Sequence, residues 1–128
     1  MKKFPLLAIV LFLITASFAQ TQTEKEVKDL LAHKWKLTHM EEGGQKIAIP
    51  TEFGDSFLDF NADGTITEID SKGQEKGKWT YDHKTKTITS EVKKEVVKYE
   101  VIKITETELV IKATLEDMVM NLHMKRVN

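Results

Sequence analysis

The sharpest chemical pattern in the chain is Asp59-Phe60-Asn61-Ala62-Asp63-Gly64-Thr65-Ile66-Thr67-Glu68-Ile69-Asp70. Oxygen ligands at its first, third and fifth positions, glycine at the sixth and a carboxylate at the twelfth match an EF-hand calcium loop. The flanks do not match. Pro50 and Gly54 precede the loop, and Gly73 and Gly77 come after it, so neither side supports a good helix. The twelfth residue is Asp, shorter than the usual bidentate Glu. A strand, an Asn61–Gly64 turn and a second strand explain the same residues. No calcium is expected there.

His33, His39, His83 and His123 stand apart, none with a histidine four residues away. A zinc site needs three or four converging ligands, so no metal site is expected. Ser56, Ser71 and Ser90 lack a glycine-flanked elbow, and each carboxylate has a lysine nearby. No residue is therefore expected to be catalytic, the chain is read as a non-enzyme, and no cofactor is implied. Met118, Met120, Leu122 and Met124 alternate near the C-terminus. Plain core is the simple reading. The functional one is a pliable lining for an apolar ligand, because methionine adapts its shape.

The elements that would position these residues are short. Thr23-Glu24-Lys25-Glu26 fits a capping box, and Val27, Leu30 and Leu31 come next at helical spacing, so one helix is expected over Thr23 to His33. Strands are then expected over 35–39, 56–60, 65–69, 78–81, 87–92, 96–104, 109–115 and 119–126. Glu41 to Gly44 is read as a break, 47–54 as an irregular crossing, and Ser71 to Gly77 as a polar loop. Short links force antiparallel neighbours. Eight strands in an up-and-down meander lose their open edges by closing into a barrel. One short helix could not cover so wide a sheet.

Closure requires the first and last strands to pair. Setting Trp35 opposite Arg126 puts Leu37 against Met124 and His39 against Leu122. All of these then face inward, while Lys34, Lys36, Lys125 and Asn121 face outward. In this register His123 also points out.

The N-terminus reads as a targeting segment. Met1-Lys2-Lys3 is a positive start, Phe4 to Ile14 is an apolar run of 11 residues, and Ser17 and Ala19 are the small residues before a cut at Gln20. The run is short for a membrane span of ~20 residues, so no stable membrane anchor is expected. The chain has no cysteine, which excludes both disulfides and a lipid-bearing cysteine. Residues 1–19 are taken as signal peptide and 20–128 as one domain, exported to the periplasm or beyond the cell. Without Lys2 and Lys3, 17 basic residues stand against 20 acidic ones, a net charge of −3. No basic stripe offers a nucleic-acid surface.

The order Leu31-Ala32-His33-Lys34-Trp35-Lys36-Leu37, Phe60-Asn61-Ala62-Asp63-Gly64-Thr65, Gly77-Lys78-Trp79-Thr80-Tyr81-Asp82, Lys84-Thr85-Lys86-Thr87-Ile88 and Glu108-Leu109-Val110-Ile111-Lys112 resembles the lipocalin-like domain of small secreted bacterial proteins. The resemblance covers roughly Leu30 to Val127. It implies a calycin-type barrel with an interior pocket, and it implies fold more than function. In true lipocalins a Gly-x-Trp opens the first strand and an Arg on the last strand packs over that Trp. Trp35 and Arg126 match those roles, whereas His33 stands in place of the glycine.

The expected fold is thus all-β: an eight-stranded antiparallel up-and-down barrel with one short N-terminal helix. The expected function is non-catalytic binding of a small apolar or amphipathic ligand inside the barrel. Its lining would be Leu37, His39, Phe60, Met120, Leu122 and Met124, with Trp35 and Arg126 closing one end. The alternative is a filled barrel acting through its surface as a structural or protein-interaction module. Oligomeric state is beyond this reading.

Overall fold

The computed structural model describes residues 22–115 and 117–127, with Phe53 and Leu115 described by backbone alone. The expected signal peptide and the cut before Gln20 lie outside the described residues.

The helix α1 (Glu24–Leu31) starts where the sequence places it. The Thr23 hydroxyl accepts the Glu26 N–H at 3.1 Å, which satisfies one of the orphan donors of the first turn. Val27 and Leu31 are its buried residues. It stops two residues short of His33, and the Leu31 carbonyl accepts the Trp35 indole N–H at 3.1 Å. The helix end is thereby tied to the first strand.

Among the described residues nine strands come after the helix: β1 (Lys34–Glu42), β2 (Gln45–Ile47), β3 (Phe57–Phe60), β4 (Thr65–Asp70), β5 (Gly73–Asp82), β6 (Thr87–Val92), β7 (Glu95–Ile104), β8 (Glu108–Leu115) and β9 (Met118–Arg126). From β3 onward each pairs antiparallel with the next, and β1 pairs with both β3 and β9. The result is a closed eight-stranded antiparallel barrel. The ninth strand, β2, is short. It pairs with the last three residues of β1, on the edge whose first three residues pair with β3.

Three expectations need correction. The Glu41–Gly44 break is a hairpin: Gly43 and Gly44 take φ of 58° and 82°, the left-handed pair that a two-residue turn requires. The Ser71–Gly77 loop shrinks to the turn Ser71-Lys72, because β5 already begins at Gly73. Alternating charges there hid a strand with both faces near solvent. The third correction concerns β1 and β9. Trp35 faces Arg126 and Leu37 faces Met124 as expected, but the register shifts between Leu37 and His39. His39 therefore faces His123, and Met40 takes the place opposite Leu122. A bulge adds one residue to one strand and re-aims the side chains beyond it.

The Asp59–Asp70 segment is the expected hairpin. Asp63 accepts the Thr65 N–H at 3.0 Å and the Thr65 hydroxyl at 2.6 Å. Strand β4 then carries Asp70 away from the turn by ~3.3 Å per residue, so the four matched ligand positions do not converge.

The core lies at the helix end of the barrel. Trp35, Phe60, Ile66, Ile88, Leu109 and Ile111 are at most 1% exposed, and Leu31 joins them from the helix. Phe60 meets Trp79 edge to face at 5.2 Å, and the Trp79 indole N–H reaches the Asn61 carbonyl at 2.9 Å. Among the described residues no helix is long and apolar enough to cross a membrane.

Candidate binding site

Strand alternation and register decide what faces the lumen. On β3 and β4, Phe60 pairs with Ile66 and Leu58 with Glu68. On β5 and β6, Tyr81 pairs with Ile88 and Trp79 with Ser90. On β7, Tyr99 and Val97 share that face, opposite Ile88 and Ser90. On β8 and β9, Leu109 pairs with Met124, Ile111 with Leu122 and Ala113 with Met120.

These inward residues fall into two halves. Next to the helix they are sealed: Trp35, Phe60, Ile66, Trp79, Ile88, Leu109 and Met124 are all buried. Toward the opposite end Leu37, Leu58, Val97 and Leu122 are only partly buried, though they pack on the same core. Met120 and Glu68 are likewise intermediate. Ser90, Val92 and Ala113 are buried beside them, so the inward surface that stays accessible is confined to part of this end, the open half of the barrel.

The open half gathers carboxylates, one of which, Glu75, is paired with Lys93. Glu68 stands inside, and its carboxyl is pushed up from the ordinary range by burial and then by the charges of Glu95, Asp70 and Glu75. Those three lie at the strand ends on the same side of the alternation. Tyr99, deeper in the wall, is pushed up to about 12, first by burial and then by Glu68, while a hydrogen bond from Ser90 acts the other way. Ser90 is itself 1% exposed, with its hydroxyl 3.5 Å from the Val97 carbonyl. The open half thus has partly exposed apolar walls and carboxylates at its end, with Ser90 and Tyr99 buried in its wall. Lys93 sits on Glu75 at 2.8 Å outside it.

The residues expected to line a ligand are divided by this arrangement. Leu37, Leu122 and Met120 belong to the open half. Phe60 and Met124, 1% and 4% exposed, are in the sealed core. His39, expected to point in, is carried by the bulge to the outer wall, where its ring stacks on His123 at 4.2 Å. Glu68 and Tyr99 were missed. Both were visible as every-second-residue positions, but Glu68 sits in a strand whose charges read as solvated. Trp35 and Arg126 are direct cross-strand neighbours. The Arg126 Nε is buried with no hydrogen-bond partner among the described residues, and its Nη1 reaches the Glu106 carbonyl at 3.5 Å.

Two hollows lie outside the lumen. One of about 510 Å³ is on the outer face of β6 to β8, between Thr87, Val96, Lys98, Glu100, Lys112 and Thr114. Another, of about 110 Å³, lies under the helix between Val27, Tyr81, His83 and Val101.

Residues 31–111 match the family model described as lipocalin-like domain. A crystal structure of a lipocalin-like protein from Bacteroides uniformis is similar, with a TM-score of 0.58 at 13% identity. The match covers 77% of this chain and 99% of that one. At that identity it speaks for the fold alone. No curated protein matches the chain. Closed eight-stranded topology, helical plug and matched segment agree, and the chain belongs to the lipocalin-like domain family.

Proposed function

We propose that this protein is an exported, non-catalytic carrier that holds one small amphipathic molecule in the open half of its barrel. The observation that carries the reading is the partial exposure of Leu37, Leu58, Val97 and Leu122 inside a closed barrel whose other half is sealed. An apolar body would cover these side chains, at ~25 cal/mol per Å² removed from water. The molecule's polar end would carry positive charge, because Glu68, Asp70, Glu75 and Glu95 gather at the opening. A cation there would relieve the crowding that raises the Glu68 carboxyl, whereas an anion would add to it.

The test uses the mature chain and N-phenyl-1-naphthylamine, a dye that brightens in apolar sites. Dodecyltrimethylammonium, below its micelle concentration, should displace the dye at roughly tenfold lower concentration than dodecyl sulfate, a difference of ~1.4 kcal/mol. Glu68→Gln should shrink that difference. If the dye gains no fluorescence, the carrier reading fails. The outer hollow at Val96, whose side chain is 56% exposed, would then favour the surface-interaction reading. The export step is checked by the mass of the secreted protein, expected to start at Gln20.

A further inference from the structure

Among the described residues the fold brings three ligating side chains together outside the lumen. His39, Glu41 and His123 each offer a donor atom, and the three donors lie within 4.8 Å of one another. Sequence separation hid them, since His39 and His123 are on opposite ends of the domain. Pairing of β1 with β9 makes them neighbours, and the bulge after Leu37 turns His39 to the same face as His123. Without that extra residue His39 would face Leu122 and point into the barrel.

The hydrogen bonds around the cluster set its donors. The Thr38 hydroxyl donates to the His123 carbonyl at 2.9 Å. Its one proton is thus used, so toward His39 Nδ1, 3.3 Å away, it can only accept. A neutral His39 ring then carries its proton on Nδ1 and leaves the Nε2 lone pair free. A hydrogen-bonded second nitrogen of this kind fixes the tautomer of metal-ligating histidines. On the other ring, His123 Nε2 is hydrogen-bonded to Glu41 Oε1. Nε2 and the carboxylate hold a proton between them, and a metal ion can replace it. All three residues are partly buried, and Val110, opposite His123 in the ladder, is a buried apolar neighbour on this outer face. Glu41 also borders a hollow of about 300 Å³ shared with Gly43, Gly44, Lys112 and Asn121, so there is room on that side for a further ligand.

We propose that His39, Glu41 and His123 form a three-ligand site on the outer barrel wall for a borderline divalent metal of the Zn²⁺, Cu²⁺ or Ni²⁺ class. Two imidazoles and one carboxylate suit these ions, and Ca²⁺ or Mg²⁺ would ask for oxygen alone. Zn–N bonds of ~2.0–2.1 Å require the donors to close up. The rings now stack nearly parallel, at 13°, so one of them must rotate about its side-chain torsions when the ion enters. Three protein ligands leave the fourth position to water or a small exogenous molecule, the arrangement of open rather than structural zinc sites.

The experiment titrates chelator-treated mature protein with ZnCl₂ alone by calorimetry and tracks the four imidazoles by NMR. One ion per chain is expected, with the ring signals of His39 and His123 moving and those of His33 and His83 unmoved. His39→Ala, His123→Ala and Glu41→Gln should each weaken binding by roughly tenfold or more. His83→Ala should leave it unchanged, and CaCl₂ should not compete. The proposal is overturned if no one-to-one binding saturates, or if the shifts fall on His33 or His83. It is also overturned if His39→Ala and His123→Ala bind as the parent does. The NMR arm uses the unaltered chain, so a variant that misfolds does not remove the test.

Discussion

Tyr99 is the buried group whose ionisation most directly reports on the open half of the barrel. Its hydroxyl is pushed up to about 12, against ~10 for a free tyrosine. Burial disfavours the phenolate first, and the Glu68 charge adds to it. The unfolded chain loses this proton near pH 10 and the folded chain only near pH 12. Stability from this group is therefore fully present below pH 10 and is lost as pH rises toward 12. Two units correspond to ~3 kcal/mol at most, a large share of the ~5–15 kcal/mol that holds a domain together. The chain has two tyrosines, so Tyr81→Phe leaves Tyr99 as the single phenol. Tyrosinate absorbance of that variant near 295 nm, measured against pH with circular dichroism alongside, reads Tyr99 directly. A titration near pH 12, or a cooperative unfolding step between pH 10 and 12, is expected. Glu68→Gln should lower the midpoint by removing the neighbouring charge. A phenol titrating near pH 10 in a chain that stays folded would refute the burial of Tyr99 and the inward placement of Glu68.

Particular contacts lead to further expectations. At Gly77 a Cβ would stand 2.1 Å from the Glu91 carbonyl oxygen, so Gly77→Ala should cost ~1–3 kcal/mol in urea unfolding, with the β5–β6 ladder opened around it. Lys93 and Lys94 form a turn with φ of 52° and 67°, strained for residues bearing a Cβ. Replacing them by Asn-Gly should raise stability by about 1 kcal/mol, and an unchanged melting temperature would count against that strain. Trp35→Ala should cost ~3–5 kcal/mol, the indole being fully buried, and Arg126→Ala less. The two losses should fall short of additivity in a double-mutant cycle; simple summation would deny their contact.

Much of the fold was legible because local chemistry and periodicity set it. The Thr23 cap, the Asn61–Gly64 turn and the alternation of Leu109, Ile111 and Ala113 depend on residues a few positions apart. Strand number and antiparallel order come from such signals, and the Trp35–Arg126 pairing is then required for the barrel to close. Charged strands were harder. β5 begins at Gly73, but Gln74, Glu75 and Lys76 carry no apolar face to mark it, and only the ladder with β4 makes them a strand.

Hydrophobic period, turn residues and short links suffice to close an eight-stranded antiparallel barrel behind a short helix, and all of these are written in the order of the amino acids. Which half of the barrel is sealed, and where His39 points, were settled by tertiary contacts. Sealing depends on where the helix docks, which sums many weak contacts over distant strands. The direction of His39 depends on one added residue in the β1–β9 ladder. A one-residue shift exchanges the two faces of a strand, and nothing within β1 itself records the partner that imposes it.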